Sequence, residues 1–226
     1  VAYDLPFGCP GWLQAMIQAD YYIRSGDAHN ILVIGADILS RISDPHDRDS
    51  MIYADGAGAT LLTSQKSTTP TGILAHKTRS DTLEHSEMLF MGDSYLPENG
   101  TKEGVYLKMY GRKLYQYALN HVPGAIRACL HKSGIPLSEI KKVLIHQANG
   151  KMDDAILNRL YKLEDDLSVP VDVMPMTISW LGNSSVATVP TLLDLILKNE
   201  LDGHQIEKGD KIIFASVGAG MNINAM

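Results

Sequence analysis

The sequence predicts an α/β fold. Two patterns predict it. Short apolar runs of strand length fall at residues 31–36, 142–145 and 211–216, and longer segments at 11–25 and 151–163 repeat their apolar residues at helical spacing. A hydrophobic fraction of 45% over 226 residues is enough to bury the core that stacked strands and helices require.

Each element follows from local chemistry. Residues 11–25 read as a helix, with Leu13, Met16, Ile17 and the pair Tyr21-Tyr22 on its apolar side and Ser25-Gly26 as its stop. Residues 31–36, Ile-Leu-Val-Ile-Gly-Ala, read as a strand buried on both faces. A polar loop occupies 43–49, and 55–62 read as a turn entering a second buried strand. The polar, proline-ended stretch 64–70 is expected to separate two halves. A strand is expected at 73–82 and a long surface loop, rich in Gly, Pro, Asn and Asp, at 88–104. A helix is expected at 105–133, kinked or split by Pro123. The strand at 142–145 delivers His146 at its C-terminal end. The helix at 151–163 places Met152, Ala155, Ile156, Leu160 and Leu163 on one side. A further helix covers 184–198, and the strand 211–216 runs into Gly218-Ala219-Gly220.

Composition narrows the function classes. A formal net charge of −6 argues against a nucleic-acid binder. Two cysteines, Cys9 and Cys129, make no disulfide framework and fit a reducing setting. No apolar run approaches the ~20 residues that span a bilayer. The eight histidines pair with no cysteine or carboxylate at ligand spacing, so no metal site is expected. Asp55-Gly56-Ala57-Gly58 is a tight turn into a strand, not a phosphate cradle.

Three short stretches carry the chemistry: Phe7-Gly8-Cys9-Pro10-Gly11, His146-Gln147-Ala148-Asn149-Gly150 and Gly182-Asn183-Ser184-Ser185. Cys9 sits just before a predicted helix, where unpaired N–H groups and the helix dipole favour an anion and lower a thiol pKa. The bland reading is a small buried apolar cysteine. His146 ends a buried strand, where open α/β sheets place their sites, although a lone histidine is also a common structural residue. Asn149 is placed to hold the local turn. Asn183 is placed either as an amide donor or as the cap of the helix that follows. Singly these signals are weak; together they supply a nucleophile, an imidazole and a neutral amide, a set suited to acyl transfer through a thioester.

These motifs resemble those of the β-ketoacyl-acyl-carrier-protein synthase III family. Further matches are Gly35-Ala36-Asp37, Asp44-Pro45 with Asp47-Arg48, Asp55-Gly56-Ala57-Gly58-Ala59, Val189-Pro190 and Gly218-Ala219-Gly220, in family order almost from Val1 to Met226. The resemblance implies a thiolase-like α/β/α/β/α layering with mixed sheets. Residues 1–66 would be the remainder of the N-terminal half and 67–226 the C-terminal half. It implies a Cys-His-Asn enzyme of decarboxylative Claisen condensation, with Cys9 as nucleophile and His146 and Asn183 holding the enolate. The backbone N–H groups of Cys9 and Ala219 would form the oxyanion hole. Arg48, Asn149, Lys151 and Arg159 would receive CoA and the acidic carrier protein, with Lys162 on the same polar helix side. Acyl-CoA and malonyl-acyl-carrier protein would be substrates rather than cofactors. The enzyme would be a cytoplasmic homodimer without nucleic-acid or membrane partners. True thiolases carry a second catalytic cysteine late in the chain; Cys129, mid-helix, is not so placed.

One departure is large. In the family the catalytic cysteine lies about a third of the way into a longer chain, whereas here it is the ninth residue and the sequence begins Val1-Ala2 without Met. The expectation is a piece of a longer protein with an incomplete first half, which leaves sheet edges and faces uncovered. Such a piece would need a companion segment, or would pair tightly and be catalytically weak or dead. Three alternatives stand beside this reading: a related ketosynthase of secondary metabolism, a Cys-His-Asn hydrolase using His146 as base, and a non-enzymatic scaffold.

Overall fold

The computed structural model of the chain describes residues 1–96, 104–164 and 168–226. Helix α1 (Gly11–Ser25) buries Trp12, Leu13, Met16 and Ile17 and ends at Gly26, whose left-handed φ of 83° lets its N–H reach the Ile23 carbonyl. Strands β1 (Asn30–Ile38) and β2 (Asp55–Thr63) pair antiparallel from Asn30↔Thr63 to Ile38↔Asp55. After β2 come β3 (Lys77–Ser80), the one-turn α2 (Thr82–His85), and the hairpin strands β4 (Leu89–Gly92) and β5 (Tyr106–Met109). Helix α3 (Gly111–Ser133) leads to β6 (Ile140–Ile145), α4 (Gly150–Leu163), the short α5 (Ile178–Leu181), α6 (Thr188–Leu197), β7 (Lys211–Gly218) and β8 (Asn222–Ala225).

The second sheet has the order β3-β8-β7-β6 and is mixed: β6 runs parallel to β7, while β8 is antiparallel to both β7 and β3. Helices α1 and α6 lie between the two sheets, α1 against β1, β7 and β8, and α6 against β2 and β6. Helix α3 covers the far side, touching β3, β7, β8 and α4. The layers are therefore sheet, helices, sheet, helices. The main core joins α3, α4 and β6–β8 through Val122, Ile126, Val143, Ile156, Leu160 and Ile223.

The outer face of β1–β2 is bare among the described residues. Leu32, Ile34, Ile38 and Leu61 are exposed there, with Ala36, Ala57 and Ala59. This corrects the expectation of strands buried on both faces: α1 and the 185–187 turn cover only one side. It agrees with an incomplete first half. Three further differences are local. Residues 106–109 form β5 rather than the start of a helix, because they pair with β4 inside the expected loop; residues 97–103 of that loop lie outside the described residues. Helix α3 also runs unbroken through Pro123. Leu163, expected on the apolar side of α4, is exposed at its last turn.

A buried ionic knot ties the β4–β5 hairpin to the 43–53 segment. Lys108, 1% exposed on β5, donates to Asp44 at 2.5 Å and Asp47 at 3.1 Å and lies 3.5 Å from the Tyr95 ring centre. Asp44 also accepts from Ser94 Oγ and from the backbone N–H groups of His46 and Tyr95. Burial alone would raise the Asp44 carboxyl, but Lys108 and these donors outweigh it and hold it far below the usual range.

Candidate active site

Cys9 stands two residues before α1, on a turn closed by the Gly11 N–H donating to Gly8 O at 2.7 Å. The end of β7 passes directly against it. A Cβ on Gly218 would lie 2.9 Å from both Cys9 N and Cys9 Cβ and 2.6 Å from Pro10 Cδ, so only glycine permits this approach. Next along the chain, Ala219 packs on Gly8, its N 3.3 Å from where a Gly8 Cβ would be. The two segments expected to supply oxyanion N–H groups are therefore in contact.

Asn183 reaches the same place from the other side. Gly182 (φ 68°, ψ −168°) ends α5 in a conformation open to glycine and turns the chain. Asn183 then bridges Tyr53: its N–H donates to Ile52 O at 2.7 Å, and its carbonyl accepts from Ala54 N at 2.9 Å. Its Oδ1 accepts from Ser185 N at 2.9 Å, which leaves Nδ2 without a partner among the described residues. Ser185 holds a left-handed φ of 54°, uncommon for a non-glycine residue, and its Oγ lies 3.7 Å from Cys9 Sγ. Ser185 thus links the Asn183 amide to the Cys9 thiol.

His146 follows β6, its N–H donating to Ala215 O of β7 at 2.9 Å. This bond ties it to the end of β7 that also reaches Cys9, since Ala215 lies three residues before Gly218. Gln147 fixes this turn by donating to Ile145 O and Pro175 O and accepting from Thr177 N at 2.9 Å. The His146 ring is buried, and Nδ1 has no partner among the described residues. Burial pushes its pKa down to about 4, so the ring is neutral at pH 7.

The Cys9 thiol departs from expectation. Its position ahead of α1 was expected to lower the pKa; instead the protein packed around the sulfur pushes it up to about 11, with the Ser185 hydroxyl and the Cys9 N–H pulling it back only in part. Desolvation outweighs the helix terminus. Cys129, buried within α3, is likewise pushed up to about 11 by burial.

The remaining candidates separate. Arg48 is exposed and opens the 3-10 turn Arg48–Ile52, the segment that leads to the Asn183 bridge. Asn149 caps α4, accepting from Met152 N at 3.3 Å. Lys151 is exposed in the first turn of α4. Arg159 lies about 12 Å further along that helix axis and donates to Asn120 of α3 at 3.1 Å. Sequence reasoning missed Ser185 and Gln147 as positioning groups although both sit inside the quoted motifs.

The architecture is that of the thiolase-like fold. The family model for 3-oxoacyl-acyl-carrier-protein (ACP) synthase III matches residues 3–82, and the model for its C-terminal part matches residues 130–226. A β-ketoacyl-acyl-carrier-protein synthase III of Acaryochloris marina is 34% identical over 232 residues, covering 100% of this chain and 66% of that protein. One of Trichodesmium erythraeum is 32% identical, covering 100% and 67%. The crystal structure of 3-oxoacyl-acyl-carrier-protein synthase III from Aquifex aeolicus superposes with a TM-score of 0.81 at 31% identity, covering 99% of this chain and 65% of that one. The chain belongs to the 3-oxoacyl-acyl-carrier-protein synthase III family, and it spans about two thirds of the length of the relatives it matches.

Proposed function

We propose that the protein carrying this chain condenses acyl-CoA with malonyl-acyl-carrier protein and so initiates fatty acid biosynthesis. The observation that carries the reading is the junction of Cys9, Ser185–Asn183 and Gly218-Ala219, with a neutral, buried His146 hydrogen-bonded to the same strand, β7, at Ala215. Cys9 Sγ attacks the acyl thioester. The C–S bond to CoA breaks, and the thiol proton leaves with the CoA sulfur, since a thiol near pKa 11 is protonated at pH 7. The oxygen charge of the tetrahedral intermediate falls to the backbone N–H groups of Cys9 and Ala219. Malonyl-acyl-carrier protein then loses carbon dioxide. The enolate oxygen takes hydrogen bonds from His146 Nε2 and Asn183 Nδ2, and the carbanion attacks the Cys9 thioester; the C–C bond forms, the C–S bond to Cys9 breaks, and the thiolate that leaves takes a proton from solvent. Fixed neutral donors suit developing charge because they need not reorganise, and losing one costs roughly 3 kcal/mol of barrier, on the order of a hundredfold in rate.

Arg48 and Lys151, both exposed near these segments, are the groups for CoA and carrier phosphate; Arg159 serves the carrier less directly. On the resemblance alone, the reading extends to a cytoplasmic homodimer. The hydrolase alternative needs a thiolate–imidazolium pair, and burial moves both groups the other way, thiol up and imidazole down. The test is product analysis with the full-length protein. Asn183→Ala should lower 3-oxoacyl-carrier-protein formation about a hundredfold while Cys9 acylation persists. Release of free acid from acyl-CoA with no malonyl dependence would refute the proposal.

A further inference from the structure

At the opposite end of β6 from His146, a cavity of about 400 Å³ opens between β6 and the 199–205 loop, lined among others by Lys141, Lys142, Asn199, Asp202 and His204. Lys142 lies four residues before His146, about 13 Å along an extended strand, so this cavity is separate from the Cys9 junction. Lys142 is 4% exposed, whereas its neighbour Lys141 is exposed. Its Nζ donates to Asp172 O at 2.6 Å and meets His204 Nδ1 at 3.0 Å, and no carboxylate pairs with it among the described residues. A buried ammonium without a counter-ion is costly. These two contacts occupy two of the tetrahedral directions at Nζ when His204 Nδ1 is unprotonated, and in the neutral amine the lone pair takes a remaining one.

We propose that Lys142 is an acyl-accepting lysine, its amine held by the Asp172 carbonyl and His204 Nδ1 in an open cavity and acylated by small activated acyl donors, thioesters or acyl phosphates. The nitrogen attacks the acyl carbonyl and the C–N bond forms. The C–S or C–O bond breaks, and thiolate or phosphate leaves with the electron pair. The proton shed by Nζ passes to His204 Nδ1 and then to solvent. The charges around Nζ are mixed. Burial, then Lys141, lower the Lys142 pKa against the opposing pull of Asp172 and Asp210; burial, and Lys142 while it is charged, lower that of His204 against the opposing pull of Asp172. Asp202 lines the cavity without a bond to Nζ. The thioester source rests on the acyl-transfer reading of Cys9; the attack itself uses nothing from that site.

The test treats the full chain at pH 7.5 with acetyl phosphate in one arm and acetyl-CoA in the other, and maps hydroxylamine-stable acetyl groups by peptide mass. Lys142 should acetylate about tenfold faster than Lys141 with at least one donor. Reaction with acetyl phosphate alone assigns the acyl-phosphate source, reaction with acetyl-CoA alone the thioester source, and reaction with both a general activated-acyl acceptor. Equal or slower labelling of Lys142 in both arms overturns the proposal. The advantage should close as pH rises past the ordinary lysine value of about 10.4, and a ratio that does not change with pH also overturns it. His204→Gln, which keeps an acceptor but cannot take the proton, should bring the ratio near one; an unchanged ratio in that folded variant contradicts the role of His204. Cys9→Ala should label at Lys142 like the unaltered chain, so failure at Cys9 and failure here are distinguishable.

Discussion

Gly218→Ala probes how the nucleophile is placed. Gly218 is extended (φ −167°), so alanine meets no backbone strain there. The obstacle is space: the new Cβ would lie 2.6 Å from Pro10 Cδ and 2.9 Å from both Cys9 N and Cys9 Cβ. Ordinary carbon contacts are about 3.5–4.0 Å, so β7 and the Cys9 turn must part by roughly 1 Å. Neither a proline ring nor a backbone nitrogen can swing aside. Overpacking of this kind costs about 1–3 kcal/mol, and a shift of that size at reacting atoms can cost about a hundredfold in rate. Urea unfolding and the rate of hydroxylamine-labile acylation at Cys9 read the two effects. A Gly218→Ala protein with an unchanged midpoint and an unchanged acylation rate would refute the packing argument. Gly124→Ala, in α3 with open space around its Cβ position, is the control and should instead stabilise by about 0.5–1 kcal/mol.

Other perturbations separate the remaining interactions. Ser185→Ala removes a hydroxyl worth about 1 kcal/mol to the thiolate, so the iodoacetamide pH profile of Cys9 should move up by roughly half to one unit; an unmoved profile denies Ser185 its contact. Lys108→Met strands the buried Asp44 carboxylate and the half-buried Asp47 and should cost about 3–5 kcal/mol in denaturant unfolding. The stability that Asp44 contributes is present above about pH 4 and is lost as pH falls, and a flat acid limb in Lys108-intact protein would contradict it. Asp153 behaves oppositely. It is 0% exposed, neither carboxylate oxygen has a partner among the described residues, and burial pushes it up to about 8. The folded state keeps its proton where the unfolded chain has lost it, so stability falls as pH rises from about 4 to about 8, in total by on the order of 5 kcal/mol. Asp153→Leu should remove that slope in urea titrations at pH 5 and pH 8; an equal slope in both proteins would show that Asp153 is not its source.

The long periodic elements were readable because their burial repeats with the backbone: α1, α4 and the strands at β1, β6 and β7 lie where apolar spacing puts them. The hairpin β4–β5 was hidden because Tyr106-Leu107-Lys108-Met109 runs straight into a helix and places a lysine inside. Strand β8, Asn222-Ile223-Asn224-Ala225, was hidden by its two asparagines, one of which is buried and donates to Pro10 O and Gln14 Oε1. The loops bearing Cys9, His146 and Asn183 stood out through glycine, proline and polar residues beside helix starts. The direction of the Cys9 shift did not, because a helix terminus is visible in sequence while the protein packed around a sulfur is not. For His146 the same packing was legible, since a strand of Val143-Leu144-Ile145 buries whatever follows it.

Intact mass after mixing with acetyl-CoA tests the role of Cys9 most directly. One hydroxylamine-labile acetyl group should appear on the full-length protein, map to Cys9, persist in His146→Ala and Asn183→Ala, and be absent from Cys9→Ala. A labile acetyl group that survives Cys9→Ala, or that maps to Cys129, would contradict the account.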